Sequence, residues 1–409
     1  MVYVLTRGGT ADDPRLARIH THDEVVTPAW ADGVWTARCK AGSTSVALQS
    51  RRYGFTLVDE QVDPREFGPC PVRLPPPASH PKRADPATAL RSHGFTIREG
   101  EPGLPSPASP EADWRAWQGR KRARPAPVDH GLLATRLQGR VDPSVLERAV
   151  AVARSGAWSE PAGEDVAVIE VCHGWGEREQ AATVEALDAA CAVGPRSRVI
   201  VVQNDAALHT EAKAWTPRAN ADRLTMVTTR NDGFAAACSA GAKRAGKPRW
   251  YLFTQPDAHW GPEAVRDAIG LSRALARPPV GFGAPAIVGP SGGYVDDYYG
   301  GGIREFGRNV GRDRGLAPSP VDWIAGYWLL VDGETYRKAG GWCEAFFLYY
   351  EDPDLSLRCA LAGARPFAWP GLAVEHERGG TIRSRVSDKV VSEMQGESRQ
   401  TFGARWGGR

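Results

Sequence analysis

Apolar and polar positions change their pattern near Asp165. From there onward, short apolar runs of strand length alternate with stretches in which apolar residues recur at helical spacing. This alternation predicts an α/β fold, with a mostly parallel sheet covered by helices on both faces. The predicted strands are Val166–Val171, Arg198–Val202, Arg223–Val227 and Arg249–Phe253, and the predicted helices are Arg178–Ala192 and Phe234–Ala245.

The first 75 residues follow another pattern, with brief apolar stretches between turn residues and no long helical periodicity. They predict a small β-rich domain, to which no motif assigns a role. The expected strands are Val25–Val26, Val34–Ala37, Ser45–Leu48 and Phe55–Val58.

Proline-rich sequence separates these two regions, and proline interrupts regular structure because it lacks an amide donor and fixes φ. We therefore expect a linker between two folded parts. The expected division is a β-rich domain over residues 1–75, a linker over 76–160 with a short helix at Pro143–Ala153, a sheet domain over 161–390 and a tail over 391–409.

The linker contains Trp114–Arg124, in which tryptophan is interleaved with arginine and lysine. Such a segment can bind a polyanion, either a phosphate backbone or an anionic lipid surface. The alternative, which we favour, is a solvated basic segment whose tryptophans dock on the neighbouring domain.

Composition narrows the class of protein. The hydrophobic fraction of 42% and charged fraction of 24% in 409 residues are ordinary for a globular chain of about two domains. A net charge of +3 does not by itself indicate a nucleic-acid partner, and seven scattered cysteines without a C-x-x-C pair argue against disulfides and structural zinc. With no transmembrane segment or signal peptide predicted, we expect a cytoplasmic protein, free or peripheral at the inner membrane face.

Polar or glycine-containing segments follow the predicted strands, where ligands of open parallel sheets bind. These segments suit a nucleotide held against backbone and amide groups. Further on, an aromatic run is followed by three acids within four positions, Glu351, Asp352 and Asp354. The strand-end segments are Cys172–Gly174, Gln203–Asp205, Asn231–Phe234 and Gln255–Asp257.

Five segments, in this order, resemble motifs of family 2 glycosyltransferases, in the bacterial rhamnosyltransferase-like branch. They cover about residues 165–385, and five in order are far more specific than any one alone. The segments are Asn231–Gly241, Tyr251–Ala258, Val321–Gly326, Gly340–Leu355, and Val374–His376 followed by Gly379–Thr381.

The resemblance implies a GT-A fold for the sheet domain, a divalent cation (Mg²⁺ or Mn²⁺) and inversion at the anomeric carbon. It makes Asp257 the metal ligand, with His376 completing the shell or contacting the diphosphate, and Asp352 the base that deprotonates the acceptor hydroxyl. A position in the first turn of a helix would favour the charged form of Asp352. Glu351 would position the acceptor or orient the base, and the acceptor side would include Trp323 and Gly326.

The donor nucleotide is expected across the strand ends. A mobile loop over residues 299–315, with Arg308 and Arg312, would close on it. The expected contacts are His173 stacking on uracil or thymine, Gln203 and Asn204 at the base edge, Asn231 and Gly233 at the ribose and phosphate, and Gln255 with Asp257 at the diphosphate.

Some positions depart from the family pattern. Gln203–Asn204 stands where the second strand usually ends in Asp-Asn, and Gln255 stands where a two-carboxylate site would have aspartate. The first swap leaves the preferred base open, and the second implies modest metal affinity.

Each assignment also has a structural alternative. Asp257 can cap a turn after Pro256, His376 can be a satisfied structural histidine, and Asp352 and Asp354 can be first-turn acids of a helix, which we favour for Asp354. The run Phe346–Tyr350 is better explained as core packing and acceptor-pocket wall than as a recognition device.

We therefore predict an inverting, metal-dependent transferase that moves a sugar from a UDP- or dTDP-linked donor to a hydroxyl of a glycan, lipid-linked or other acceptor. Two alternatives remain open at this point. One is a binding protein on a degenerate transferase fold, motivated by Gln203 and Gln255, and the other is a glycosyltransferase that acts on a modified nucleic acid.

Overall fold

The contacts of this computed structural model divide the chain into two units: Met1–Arg83 with Gly311–Leu316, and Ala84–Val310 with Ala317–Arg409. The second unit is wider than 161–390 because helices from the expected linker and tail pack into it. The structure describes residues 2–7, 19–20, 25–26, 29–31, 34–38, 56–58, 109–120, 125–126, 128, 130–137, 141–155, 164–174, 177–204, 223–277, 281–293, 317–376 and 386–407.

The first unit contains an antiparallel sheet of four strands in the order β4-β5-β1-β6 and a separate pair, β2-β3. The prediction of a small β-rich domain is therefore confirmed, although β1 was not predicted and Ser45–Leu48 lies outside the described residues. The strands are β1 (Val2–Arg7), β2 (Ile19–His20), β3 (Val25–Val26), β4 (Ala29–Ala31), β5 (Val34–Arg38) and β6 (Thr56–Val58).

The second unit is built on a mixed sheet of eight strands. Its order is β14-β17-β12-β16-β10-β7-β8-β9, in which β10, β7, β8 and β9 are parallel and β16 runs antiparallel between β10 and β12. The strands are β7 (Val166–Cys172), β8 (Arg198–Asn204), β9 (Leu224–Thr229), β10 (Trp250–Thr254), β12 (Ile287–Gly289), β14 (Ser319–Pro320), β16 (Trp328–Asp332) and β17 (Pro366–Ala368).

The four predicted strands thus form the parallel half, and the mostly parallel α/β fold is confirmed. Two small pairs lie beside the sheet and carry site residues. They are β11 (Ala258–Trp260) with β18 (Val374–His376), and β13 (Gly292–Gly293) with β15 (Trp323–Ile324).

Helices cover both faces of the sheet because its strands are buried on both sides. Every residue of β7 is buried, and its side chains alternate between a core under α4 and α6 and a core under α5. The helices are α1 (Pro110–Gln118), α2 (His130–Leu137), α3 (Pro143–Ser155), α4 (Glu177–Val193), α5 (Phe234–Ala245), α6 (Pro262–Ala276), α7 (Gly333–Lys338), α8 (Glu351–Leu361) and α9 (Asp388–Trp406).

Helix α1 docks on α9 and on the aromatic run before α8. Trp114 is 1% exposed and donates its indole N–H to Glu397 (3.2 Å), and the ring of Trp117 lies 5.3 Å from that of Phe347. Arg115 donates to Glu393 over 2.7 Å. The tryptophans are therefore docked, as the favoured alternative predicted, and such buried indoles give no support to polyanion binding. Residues 121–124 lie outside the described residues.

Within the described ranges, none of the helices has the length and apolar character that crossing a bilayer requires.

Candidate active site

The carboxyl ends of β7 and β8 and the start of α5 bring together four of the predicted nucleotide residues, His173, Asn204, Asn231 and Gly233. Asn204 donates from Nδ2 to Asn231 Oδ1 (3.0 Å), and the amide N–H of Gly233 donates to the same oxygen (3.2 Å). Asn231 in turn donates from Nδ2 to Asp113 Oδ2 (3.0 Å), and His173 Nε2 lies 3.8 Å from that oxygen. Asp113 belongs to α1, a helix that the sequence analysis placed in a linker.

Gln203 does not join this cluster. Successive side chains of a strand point to opposite faces, so Gln203 lies on the α4 face of the sheet and Asn204 on the α5 face. Gln203 is 3% exposed, and neither atom of its amide has a hydrogen-bond partner among the described residues. The expectation that both side chains meet one base edge does not fit this geometry.

A buried acid of β7 that the sequence analysis missed, Glu170, points to the same face of the sheet as Gln203. Glu170 is 1% exposed and accepts from the Thr183 hydroxyl (3.4 Å) and the Cys172 thiol (3.6 Å). Burial raises the pKa of Glu170 to about 8, which favours its neutral form at neutral pH. A neutral carboxyl needs no counter-ion, and this explains how the strand tolerates an acid in its centre.

Gly233 joins the nucleotide end of the site to the aromatic run before α8. Its φ is +102°, and a Cβ atom there would lie 2.2 Å from the backbone oxygen of Phe347. The next residue, Phe234, donates its amide N–H to that same oxygen over 2.8 Å. Only glycine permits both the backbone conformation and this close approach.

Gly233→Ala is expected to lower the free energy of unfolding by about 2–4 kcal/mol, because the new methyl group displaces Phe347 in addition to straining φ. Gly246→Ala is the matched control, since φ is +76° there and a Cβ would meet nothing within 4 Å. Thermal unfolding of both variants measures the difference. An equal fall in Tm for the two would show that contact with Phe347 contributes nothing.

Asp257 follows β10 at a turn in which the Ala258 amide N–H donates to the Gln255 carbonyl (3.0 Å). Pairing of β11 with β18 puts Ala258 opposite His376, and His376 Nε2 lies 3.6 Å from Asp257 Oδ2. Arg178 Nη2, from the first turn of α4, lies 3.8 Å from the same oxygen. The structure thus brings together the two predicted metal ligands and adds a guanidinium that the sequence analysis had not assigned to the site.

The side chains around Asp257 fit a divalent cation. Asp257 is 6% exposed, and its Oδ1 has no hydrogen-bond partner in the described part of the chain. Carboxylate oxygen suits Mg²⁺, and a carboxylate with an imidazole suits Mn²⁺. The described ranges contain no group of three or more His, Cys, Asp or Glu side chains around one point. An ion would therefore take its remaining ligands from a diphosphate and water.

Asp352 lies in the first turn of α8, where the backbone N–H of Gly326 donates to its Oδ2 over 2.9 Å. The two residues before the helix, Tyr349 and Tyr350, have left-handed φ values of +70° and +69°. Such strain in residues other than glycine is held only by surrounding packing and clusters at active sites. The Tyr350 ring packs on Phe402 of α9 (5.5 Å between centroids).

Burial decides the protonation of the acid pair. It raises the pKa of Asp352 to about 7, although hydrogen bonds from the backbone N–H groups of Gly326 and of Asp352 itself oppose the shift. Desolvation therefore outweighs these amides, and the helix terminus as a factor favouring the charged form stays a prediction. Glu351 is 5% exposed, and burial together with Asp352 raises its pKa well above the usual range.

Asp354 has the structural role that we favoured. It is fully buried and accepts from Arg358 (2.9 Å) and from the Trp406 indole (2.9 Å), and it thereby ties α8 to α9. Trp323 is 7% exposed in β15, so it can form part of a wall but presents little surface.

Gly326 and Tyr327 connect the two acids. Gly326 donates to Asp352, and the ring of the next residue, Tyr327, stacks on His376 with centroids 3.9 Å apart and planes 3° apart. His376 in turn lies 3.6 Å from Asp257. Because consecutive Cα atoms are about 3.8 Å apart, the metal-ligand pair and the acid pair flank one short stretch of chain. The expected loop with Arg308 and Arg312 lies outside the described residues.

Comparisons with known proteins find relatives that match part of the chain. The chain is 32% identical over 154 residues to N-acetylglucosaminyl-diphospho-decaprenol L-rhamnosyltransferase of Mycobacterium tuberculosis, covering 33% of this chain and 50% of the relative. It is 39% identical over 56 residues to rhamnosyltransferase WbbL of Escherichia coli K12, covering 14% and 21%. The chain thus spans 50% of the length of the mycobacterial relative and 21% of the length of the E. coli relative. No protein-family model matches it.

Two solved structures resemble this one over part of the chain. One is the mannosyltransferase PcManGT from Pyrobaculum calidifontis in complex with GDP-Man and Mn²⁺, at 15% identity and a TM-score of 0.36, covering 66% of this chain and 79% of that one. The other is GalNAc-T7 with UDP, GalNAc and Mn²⁺, at 12% identity and a TM-score of 0.37, covering 63% and 56%.

A mixed sheet with polar strand ends and an acid pair at a helix start is the arrangement that the resemblance to GT-A glycosyltransferases implied. The sequence similarities are to rhamnosyltransferases, over part of this chain and half or less of each relative.

Proposed function

We propose that this protein transfers a sugar, a rhamnosyl group in the first instance, from a nucleoside diphosphate to an acceptor hydroxyl with inversion. In this reaction the bond between the anomeric carbon and the diphosphate oxygen breaks. The acceptor oxygen bonds to that carbon from the opposite face, and its proton passes to Asp352. The observation that carries the proposal is the Gly326–Tyr327 link, which puts a base candidate and a diphosphate-binding candidate on either side of two adjacent residues.

The base role of Asp352 is supported by its position and its pKa. One carboxylate oxygen is held by the Gly326 amide, so the group is oriented, and the side chain retains some exposure. A base with a pKa near the working pH is well matched to proton transfer. Glu351, buried beside it, would orient the base or hold the acceptor. Trp323 and Gly326 would form the acceptor wall.

At the donor end, Asp257 and His376 would hold Mg²⁺ or Mn²⁺ against the diphosphate. Such an ion neutralises the charge that builds on the departing diphosphate. Arg178 adds a positive charge, and its guanidinium matches phosphate geometry. The acceptor would be a hydroxyl of a glycan or lipid-linked glycan, in line with the name of the mycobacterial relative.

A panel of UDP- and dTDP-sugars, incubated with the full chain and Mn²⁺, tests this proposal. We expect release of nucleoside diphosphate from one donor, faster with an acceptor glycan and abolished by a chelator. Binding of a donor without any release would instead support the nucleotide-sugar-binding alternative. If no donor bound or reacted, the proposal would be rejected.

A further inference from the structure

The asparagines at the strand ends are largely engaged with each other. Asn231 Oδ1 accepts from Asn204 and from the amide of Gly233, and Asn204 Oδ1 accepts from the Thr229 hydroxyl (3.2 Å). Asn204 also donates towards the Gly233 carbonyl (3.4 Å). These amides therefore hold the loop before α5 in shape, and few of their hydrogen-bonding positions remain for a ligand.

Asp113 differs from them. Its carboxylate is about nine-tenths buried, with 10% of the side chain exposed, and Oδ2 is occupied by Asn231. Its other oxygen, Oδ1, accepts no hydrogen bond from the described residues. A buried carboxylate accepts hydrogen bonds and cannot donate them, so it selects a ligand group with a polarised N–H or O–H.

Contacts with α9 and with the loop before α5 hold helix α1 in place, so the Asp113 carboxylate has a fixed position from which it can recognise a ligand. Trp114 and Gln118 both donate to Glu397 of α9, over 3.2 and 2.9 Å, and Arg120 forms an ion pair with Asp232 beside the cluster. The strand β8 ends in two amides, Gln203 and Asn204, and supplies no carboxylate within the described residues.

We propose that α1 is a wall of the donor site and that Asp113 is a specificity-determining residue, whose free carboxylate oxygen accepts the ring N–H of a uracil or thymine base. This inference rests on the proposed function. Uracil and thymine carry N3–H, whereas N3 of cytosine is an acceptor that a carboxylate repels.

Calorimetry with UDP and CDP in the presence of Mn²⁺ tests the inference on the full chain. The wild type should prefer UDP. Asp113→Asn should weaken UDP binding about 10- to 100-fold, as expected when a hydrogen bond to a charged group is lost, while CDP binding holds or improves because an amide can donate to its N3. Glu111→Gln, on the half-exposed side of the same helix, should bind both nucleotides as the wild type does.

Four other outcomes are informative. Equal UDP and CDP affinity in the wild type would overturn the inference and leave the proposed function intact. Asp113→Ser serves as a second variant. If both variants had a lower Tm but kept the wild-type preference for UDP over CDP, Asp113 would have only a structural role and the inference would be overturned. Tighter binding in the variants would show that α1 blocks the site. If the wild type bound neither nucleotide, nor any dTDP- or UDP-sugar, the proposed function itself would fail.

Discussion

Replacing Asp352 by asparagine is expected to lower kcat for sugar transfer by about 10³-fold, because positioned general bases contribute about 10²- to 10⁴-fold. Asparagine keeps the shape and still accepts from Gly326, so donor binding should stay within about twofold of the wild type. Single-turnover rates and calorimetry with UDP separate the two effects. Glu344→Gln, at an exposed acid of the same segment, is the control.

The pH profile gives an independent check on this role. Burial raises the pKa of Asp352 to about 7, and a base acts in its deprotonated form, so kcat should rise with pH through the neutral range and then level off. The residual rate of Asp352→Asn should lack this step. A wild-type rate that is flat from pH 5 to 9, or a variant that retains most of its turnover, would assign the proton transfer elsewhere.

Asp257→Ala is expected to weaken binding of the donor diphosphate by about 10²-fold and to remove its dependence on Mn²⁺, since this side chain is the acid nearest the proposed ion. The Asp352 end of the site does not contact Asp257 directly, so the neutral-pH step in any residual rate should persist. Titration with Mn²⁺ at fixed UDP measures the loss.

The control for Asp257 is Glu263→Gln, which removes an exposed carboxylate from the start of α6. Arg178→Gln separates ion binding from direct contact with the diphosphate. It should weaken UDP binding without changing the Mn²⁺ dependence. Unaltered Mn²⁺ dependence in Asp257→Ala would contradict the metal assignment.

The parallel half of the sheet was predictable because its strands are nearly continuous apolar runs. Strands such as β7 are buried on both faces and need no alternation of polar positions. Three strands of the other half, β12, β14 and β17, were missed because they have only two or three residues each, too few for a periodic signal.

The site divides in the same way. Asp257, Asp352 and His376 were found through local motifs, and their roles remain predictions. Asp113 and Arg178 were not found, because their importance comes from contacts between distant parts of the chain. Asp113 meets Asn231 across 118 positions, and no local pattern records such a contact.

Gln203 shows a further limit of sequence reasoning. It was grouped with Asn204 because the two are adjacent, yet adjacency within a strand sends side chains to opposite faces. The alternation of side chains along β8 is therefore enough to separate the two amides, because odd and even positions of a strand face opposite sides of the sheet.

The docking of α1 on α9 has a consequence for biosynthesis. Trp114 and its partner Glu397 are 283 positions apart, so the helix that carries Asp113 cannot gain this anchor until the end of the unit has left the ribosome. The strands β7 and β8 can pair earlier, since only α4 and its short connections separate them along the chain. A nascent chain would thus pair β7 with β8 before α1 has its anchor, and under the role proposed for Asp113 it would gain its preference for UDP only after α9 is synthesised.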